Sequence, residues 1–293
     1  MKLNNNLEIP QMGIGTFMLT PKEAERSVLC ALGTGYRLID TANAYVNERA
    51  VGRAIKKSGV KRENIFVSTK LWATEYENEN AVDETLDRLG LDYVDLLFIH
   101  QPADNYIAGY EQLIKAQNEG KAKCIGISNF EGKYIAEILE QFNTVPQVIQ
   151  VEAHPYFTQE ELRKTTDKHG IKIMSWYPLG HGDGTLLSEE TLKELAEKHN
   201  KTVAQIILRW HIQMGFIVIP GSKSDEHIKE NFEVLNFSLS DADMAKIATL
   251  NKNERYYTRT DEALRGFVNY KPQYEKIRHI KISNLFCNYL RNI

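Results

Sequence analysis

Four residues whose side chains carry charge or exchange protons lie at the ends of three short apolar segments. The segment YRLIDTANAY supplies Asp40 and Tyr45, STKLW supplies Lys70, and VDLLFIHQP supplies His100. A phenol has an unperturbed pKa of about 10, so it donates a proton poorly near neutral pH unless a neighbouring ammonium stabilises its phenolate. Lys70 is the candidate ammonium, and Asp40 is the anion that a buried Lys70 needs.

This combination suits the reduction of a carbonyl group. A hydride added to a carbonyl carbon leaves an alkoxide that must be protonated, and we assign that proton to Tyr45. A neutral His100 would donate a hydrogen bond that orients the carbonyl oxygen. Each residue alone has an ordinary structural explanation: an Asp before a Thr often caps a helix, for example, and a Lys at a strand end reaches water. Only the four together indicate a site.

The elements that must position these residues alternate along the chain, with short apolar runs between longer amphipathic ones. We predict eight strands, at 12–16, 36–41, 65–70, 94–100, 122–127, 148–151, 171–176 and 216–219. Helices are predicted between them, including those at 23–32, 81–89, 110–119 and 132–141. Such alternation implies a parallel sheet, and eight units favour a closed (β/α)8 barrel over an open, doubly wound sheet. In a barrel, catalytic groups lie at the carboxyl ends of the strands.

Some segments add to this basic pattern. Two helical runs, 189–199 and 203–214, lie between the seventh and eighth strands, where a barrel needs only one helix. A further helix, 241–250, follows the eighth strand, and residues 3–10 are predicted to form a hairpin arm that plugs the bottom of the barrel. We therefore expect a barrel with an N-terminal arm and extra helices after strands seven and eight.

No low-complexity linker interrupts the chain, so we expect one barrel domain over residues 1–275. The last segment, KIRHIKISNLFCNYLRNI, occupies 276–293 and matches no pattern of the barrel. It is a C-terminal tail of unknown role, and a packed helix, a contact surface and a disordered extension remain alternatives.

Composition limits the classes of protein that fit. The chain has 293 residues, 42% apolar content and a formal net charge of −3, which favours neither nucleic acid nor an anionic membrane as partner. No apolar run reaches the roughly 18 residues of a membrane helix, and no signal peptide is recognisable. Its cysteines, Cys30, Cys124 and Cys287, are widely spaced, as in a reduced chain. We expect a cytoplasmic monomer or weak homodimer whose partner is a small carbonyl substrate.

Seven segments occur together in the order of a known family: GYRLIDTANAYVNE, STKLW, DLLFIHQP, GKAKCIGISNF, VIQVEAHPYF, SWYPLG and IPGSKSDEHIKEN. From residue 12 to about residue 272, the chain resembles the aldo-keto reductase superfamily, in particular its bacterial aldehyde and diketogulonate reductases. The resemblance implies a (β/α)8 barrel that uses NADPH, with NADH as an alternative, and neither metal nor flavin. It also implies that Asp40, Tyr45, Lys70 and His100 are catalytic, with Tyr45 as the acid.

The resemblance further implies a set of binding residues. Ser128, Asn129 and Gln150 match positions that hold the nicotinamide carboxamide, which suits side chains that offer both donors and acceptors. Trp176 matches the ring that stacks on the nicotinamide, and Leu179 and Gly180 match backbone that approaches the pyrophosphate. The residues that match the region holding the adenosine end are Ser222, Lys223, Glu230 and Asn231. The expected cofactor residues are Gly15, Thr16, Phe17, Asp40, Ser128, Asn129, Gln150, Trp176, Tyr177, Pro178, Leu179, Gly180, Ile219, Ser222, Lys223, His227, Glu230 and Asn231. The expected substrate contacts are Phe17, Tyr45, Trp72, His100 and Gln101.

The chain departs from the family pattern at several of these positions. Gly221 and His227 replace the Lys and Arg with which many members bind the 2′-phosphate, and Lys223 is the cation nearby. The preference for NADPH is therefore expected to be weaker than in those members. Gln101 replaces a common Trp, which predicts a more polar wall in the substrate pocket. The segment MGIG is only half of a GxGxxG fingerprint, which disfavours an open dinucleotide-binding sheet.

Two other functions are compatible with a barrel. One is a catalytically weak, nucleotide-binding regulatory subunit, which has no need for the four proton-transfer residues. The other is a lyase or isomerase acting on sugar phosphates, a class that commonly has a Glu or Lys base and a phosphate loop after the seventh and eighth strands. The physiological substrate does not follow from the sequence.

Overall fold

Eight parallel strands follow one another in the order of the chain. The computed structural model describes residues 1–180 and 184–274, so the predicted tail, 276–293, lies outside the described residues. The strands are β1 (Gly13–Gly15), β2 (Leu38–Asp40), β3 (Phe66–Leu71), β4 (Val94–Ile99), β5 (Ala122–Ser128), β6 (Val148–Glu152), β7 (Lys172–Trp176) and β8 (Ile217–Val218). Each overlaps one of the eight segments predicted from the sequence, so the strand prediction is confirmed.

The sheet closes on itself where the first strand meets the last. Parallel bridges join Met12 to Val218 and Gly15 to Gly221. A Cβ atom on Gly15 would lie 2.8 Å from the backbone oxygen of Ile219, so only glycine permits this close approach. The closed barrel is therefore confirmed, and the open sheet is rejected.

Helices alternate with the strands. They are α1 (Pro21–Thr34), α2 (Glu48–Ser58), α3 (Ala81–Leu89), α4 (Tyr106–Asn118), α5 (Lys133–Gln141), α6 (Glu160–His169), α7 (Gly184–Leu187), α8 (Glu190–His199), α9 (Val203–Gln213), α10 (Asp225–Phe232), α11 (Asp241–Ala248) and α12 (Asp261–Phe267). The two helical runs predicted between the seventh and eighth strands correspond to α8 and α9, and the further helix predicted after the eighth strand corresponds to α11. None of the helices in the described part of the chain is long and apolar enough to cross a membrane.

The sequence explains how α1 begins and which face it buries. Thr20 accepts a hydrogen bond from the backbone of Glu23, whose side chain accepts one from the backbone of Thr20. This capping box satisfies backbone N–H groups that the first turn leaves unpaired. The buried residues recur at helical spacing on one face: Ala24, Ser27, Val28, Ala31 and Leu32.

The inside of the barrel is apolar at its lower end, where the strands begin. Leu3 and Ile9 of the N-terminal arm are 3% and 1% exposed. They pack in one cluster with side chains from the strands and with Ile219, which follows β8. The strand residues of this cluster are Leu38, Phe66, Leu96, Phe98, Cys124, Val148, Met174 and Ile217. Asn4 donates a hydrogen bond of 3.2 Å to the backbone oxygen of Pro146, just before β6 begins. The arm therefore closes the amino-terminal end, as predicted, and the polar side chains of the interior lie at the other end.

Candidate active site

Three neighbouring strands carry the four predicted catalytic residues to the carboxyl rim of the barrel. Asp40 is the last residue of β2, and Tyr45 ends the short 3-10 turn Asn43–Tyr45 that follows it. Lys70 lies near the end of β3, and His100 comes directly after β4. The structure brings all four side chains together.

Lys70 and Asp40 form a buried ion pair whose side chains are 0% and 3% exposed. The Nζ atom of Lys70 donates to Oδ2 of Asp40 at 2.6 Å and to the backbone oxygen of Thr41 at 2.8 Å. Ser68 and Gln150 donate to Oδ1 of Asp40 at 2.7 and 3.0 Å. Burial lowers the pKa of Lys70, and the charge of Asp40 opposes that shift. Both charges thus have the hydrogen bonds that compensate for burial.

Tyr45 lies beside this pair, with its ring centroid 5.0 Å from Nζ of Lys70. Burial raises the pKa of Tyr45 well above its ordinary value, and Asp40 and Tyr177 raise it further. This direction is opposite to our expectation that Lys70 lowers the pKa. Asp40 balances the charge of Lys70, so burial dominates. Tyr45 therefore retains its proton across the ordinary pH range.

His100 is 7% exposed, and its ring lies edge-on to Tyr45 with the centroids 5.6 Å apart. Burial lowers its pKa well below the ordinary value, and the positive charge of Lys70 lowers it further. His100 is therefore neutral, in agreement with our expectation. A neutral imidazole still carries one N–H that can donate a hydrogen bond.

Two predicted substrate contacts, Trp72 and Gln101, flank His100. Trp72 is 1% exposed, and its ring lies edge-on to that of His100, with the centroids 5.1 Å apart. Its Nε1 donates to the backbone oxygens of Phe267 and Tyr270, at 3.1 and 2.9 Å, so it packs under the C-terminal segment. Gln101 is 7% exposed, and its buried Oε1 has no hydrogen-bond partner among the described residues. The polar wall at Gln101 stays a prediction.

The side chain of Asn129 connects two strand ends next to His100. Its Nδ2 donates to the backbone oxygen of His100 at 3.1 Å and to Oγ of Ser128 at 3.2 Å. Its Oδ1 accepts a 3.0 Å hydrogen bond from Nε1 of Trp176. The backbone N–H of Asn129 donates to the oxygen of Gln150 at 2.9 Å. The four residues expected to face a nicotinamide thus form one group, and the half-exposed Trp176 ring is fixed at its edge.

The loops after β1 and β7 add an aromatic wall. The Phe17 ring lies 5.0 Å from that of Tyr45 and 6.3 Å from that of Tyr177. Tyr177 and Gly180 have positive φ angles of 49° and 63°, and the Gly180 N–H donates to the Tyr177 oxygen at 2.9 Å. This turn also contains Pro178 and Leu179, which we expected to bind the cofactor, and the backbone of Leu179 and Gly180 was expected at the pyrophosphate. The remaining expected cofactor residues of this region lie at the seam between β1 and β8: Gly15, Thr16 and Ile219.

The predicted adenosine end lies at the start of α10. Ser224 caps this helix by accepting a 3.3 Å hydrogen bond from the backbone of His227. Ser222 accepts one of 3.1 Å from the backbone of Ser224. The Lys223 side chain is 74% exposed, and its ammonium lies 3.8 Å from a carboxylate oxygen of Glu23. Lys223 therefore projects into solvent, with part of its charge balanced.

We expected Glu230 and Asn231 of α10 at the adenosine. The first is hydrogen-bonded within the protein, and the second is buried. Glu230 accepts a 2.6 Å hydrogen bond from Thr202, and Asn231 is 6% exposed. The sequence did not single out Arg26, which pairs with Asp225 at 3.1 Å beside the start of the helix. The fold alone brings α1 and α10 together, so no local pattern signalled this cation.

A C-terminal segment, residues 251–274, crosses the carboxyl rim, and we call it the strap. The backbone N–H groups of Tyr256 and Tyr257 donate to the two carboxylate oxygens of Glu152, at 2.6 and 3.2 Å. Glu152 is the last residue of β6 and is 0% exposed. The sequence patterns did not predict this anchor, although a glutamate that ends the apolar strand VIQVE was a signal for it.

The rim thus presents a protonated phenol and a neutral imidazole above a buried ion pair, with side-chain amides beside them. Carboxamide groups and a fixed, half-exposed indole ring fit the amide and the flat ring of a nicotinamide. In the described part of the chain, no group of three or more His, Cys, Asp or Glu is arranged to hold a metal ion.

Comparisons with known proteins agree with this geometry. The model of the aldo/keto reductase family matches residues 11–252. The glyoxal reductase of Bacillus subtilis (strain 168) is 44% identical over 269 residues, which are 90% of this chain and 97% of that protein. The methylglyoxal reductase DkgA of Escherichia coli (strain K12) is 36% identical over 259 residues, 87% of this chain and 94% of that protein.

Solved structures give the same result. The crystal structure of MGS-M4, an aldo-keto reductase enzyme from a Medee basin deep-sea metagenome library, has a TM-score of 0.86 and 42% identity. The match covers 89% of this chain and 98% of that one. An aldo/keto reductase from Brucella melitensis has a TM-score of 0.83 and 45% identity, over 86% of this chain and 97% of that one. This chain therefore belongs to the aldo/keto reductase family.

Proposed function

We propose that this protein reduces aldehydes and ketones to alcohols with NADPH, and that Tyr45 is the general acid. The observation that carries the proposal is the position of Tyr45 and His100, whose rings are 5.6 Å apart, beside the buried pair of Lys70 and Asp40. The relatives named glyoxal reductase and methylglyoxal reductase make small dicarbonyl compounds the first substrates to test.

The residues of the site divide the chemistry among them. A bound nicotinamide cofactor would supply the hydride that reaches the carbonyl carbon. Tyr45 holds the proton that the resulting alkoxide takes, and an alkoxide is so much more basic than a phenolate that the transfer is favourable despite the raised pKa of Tyr45. Lys70 stabilises the phenolate left behind, and the N–H of neutral His100 orients the carbonyl oxygen.

The first prediction concerns the proton donor. Tyr45→Phe should lower the turnover number for carbonyl reduction by about 10²–10⁴-fold, the usual contribution of general acid catalysis, while the Kd for NADPH stays nearly unchanged. Steady-state kinetics and a fluorescence titration measure the two quantities. Tyr106→Phe is the matched control, because the Tyr106 hydroxyl bonds Glu137 between α4 and α5. A Tyr45→Phe enzyme that kept more than a tenth of wild-type turnover, with chemistry rate-limiting, would refute the assignment.

The second prediction follows from the pKa directions. Protonated Tyr45 is lost only above its ordinary pKa of 10.0, and neutral His100 is lost only below its ordinary 6.5. We therefore expect kcat/KM for reduction to be independent of pH from about 6.5 to about 9. The pH profile of the wild-type enzyme tests this expectation. An ionisation within that window would mean that Tyr45, His100 or Lys70 titrates there.

Two variants of Lys70 refine this second test. Lys70→Met leaves Asp40 buried without its counter-charge, so it should lower the plateau of kcat/KM and destabilise the fold by about 3–5 kcal/mol. Lys70→Arg keeps a cation that does not titrate below pH 12 or so. If Lys70 carries the alkaline limb of the profile, the limb should move upward in Lys70→Arg; a limb that stays in place belongs to Tyr45.

The third prediction concerns the choice of cofactor. We propose a moderate preference for NADPH over NADH, with Lys223 as a contact of the 2′-phosphate. Because Lys223 is 74% exposed, solvent weakens its contribution. Lys223→Ala should therefore raise the Kd of NADPH by roughly fivefold to tenfold and leave that of NADH unchanged. Lys246→Ala on α11 is the control for removing a surface lysine, and equal losses for both cofactors would show that Lys223 does not bind the phosphate.

A further inference from the structure

Arg259 of the strap contacts Asn129, the residue that links Ser128, Gln150 and Trp176 in the expected nicotinamide site. Its Nη1 donates to the backbone oxygen of Asn129, and its guanidinium carbon lies 5.1 Å from the centroid of the Tyr134 ring. Burial lowers the pKa of Arg259, which nevertheless remains a cation at any ordinary pH. A hydrogen bond from a cation to a carbonyl is stronger than one between neutral groups, so this contact restrains the Asn129 backbone.

The contact with Arg259 holds an unusual backbone conformation. The φ angle of Asn129 is +68°, in the left-handed region that asparagine adopts more readily than most residues other than glycine. This conformation sets the direction of the Asn129 side chain, which bonds the backbone of His100 and the indole of Trp176 at 3.1 and 3.0 Å. A change in the Asn129 backbone would therefore move both the amide and the Trp176 ring.

We infer that Arg259 is a positioning residue, which fixes Asn129 and through it the Trp176 ring in the geometry that receives the nicotinamide. This inference rests on the proposed function, because it assigns Arg259 to the cofactor site of that reaction. Arg259 acts through Asn129, and the strap supplies the restraint from outside the barrel.

The strap has other anchors, so the contact can be removed separately. Arg255, four residues earlier, forms an ion pair with Glu131, and the backbone of Tyr256 and Tyr257 is bound to Glu152. None of these contacts involves Asn129. Arg255→Met is therefore a matched control that removes an arginine of the strap and leaves the Asn129 backbone restrained.

A spectroscopic experiment on the cofactor-free protein tests the geometry. The chain has three tryptophans, Trp72, Trp176 and Trp210, so its ¹H–¹⁵N spectrum contains three indole signals, and Trp176→Phe identifies one of them. Arg259→Met should shift the Trp176 indole signal, whereas Arg255→Met should not. Trp210, which lies on α9, serves as the reference.

An unmoved Trp176 signal in folded Arg259→Met would overturn the inference. If the methionine variant does not fold, Arg259→Gln is judged by the same criterion, since its shorter side chain keeps polarity but does not span the same distance. A protein that bound no NADPH would refute the proposed function without changing this result, so the two failures are distinguishable.

Cofactor binding provides the second readout. Arg259→Met should raise the Kd of NADPH on the order of tenfold, with a smaller change in kcat at saturating cofactor. In a protein that carries Asn129→Gly, which tolerates the positive φ angle but has no amide, Arg259→Met should cause no further loss. An equal loss in both backgrounds would mean that Arg259 acts by another route.

Discussion

The buried pair of Lys70 and Asp40 is the interaction on which the site depends. Removing two charges from water is costly, and the protein compensates with hydrogen bonds to both partners. One of these comes from Gln150 on β6, which reaches Asp40 on β2 at 3.0 Å. Strands that are four positions apart in the sheet meet only across the interior of a closed barrel. The hydrogen bonding of the charged pair therefore depends on the closure of the barrel.

Burial, together with this pair, sets the protonation of the neighbouring residues. Asp40 balances the charge of Lys70, so burial keeps Tyr45 protonated, and the residual positive potential helps keep His100 neutral. The apolar cluster at the lower end of the barrel, closed by Leu3 and Ile9, confines these polar groups to the carboxyl rim. The strap then crosses that rim and buries Trp72 behind His100. Tyr45, His100 and the side-chain amides are thus positioned by different layers of one fold.

The sequence predicted those features that depend on local pattern. The eight strands follow from short apolar runs, and the ion pair follows from charged residues at the ends of adjacent strands. It predicted the neutral form of His100 but not the raised pKa of Tyr45, because the balance between burial and a nearby charge depends on distances in three dimensions.

Local sequence patterns did not predict the contacts of the strap. Arg259 and Asn129 are far apart in the chain, as are Arg26 and Asp225, and no periodicity connects them. Trp72 shows the same limitation: the resemblance implied a substrate contact, but the sequence did not predict that two carbonyl groups of the strap accept hydrogen bonds from its indole N–H. Contacts between segments that are distant in the chain can be identified only from the structure.

In the proposed reaction, the carbonyl carbon receives a hydride from the cofactor while its oxygen receives a proton from the protein. Isotope labelling tests this most directly, with an aldehyde that has no α-hydrogen as substrate. We predict that NADPH carrying deuterium at nicotinamide C4 delivers it to the carbinol carbon from one of its two C4 positions. Unlabelled NADPH in D₂O should give no carbon-bound deuterium. Carbon-bound deuterium from the solvent, or none from the cofactor, would contradict the account.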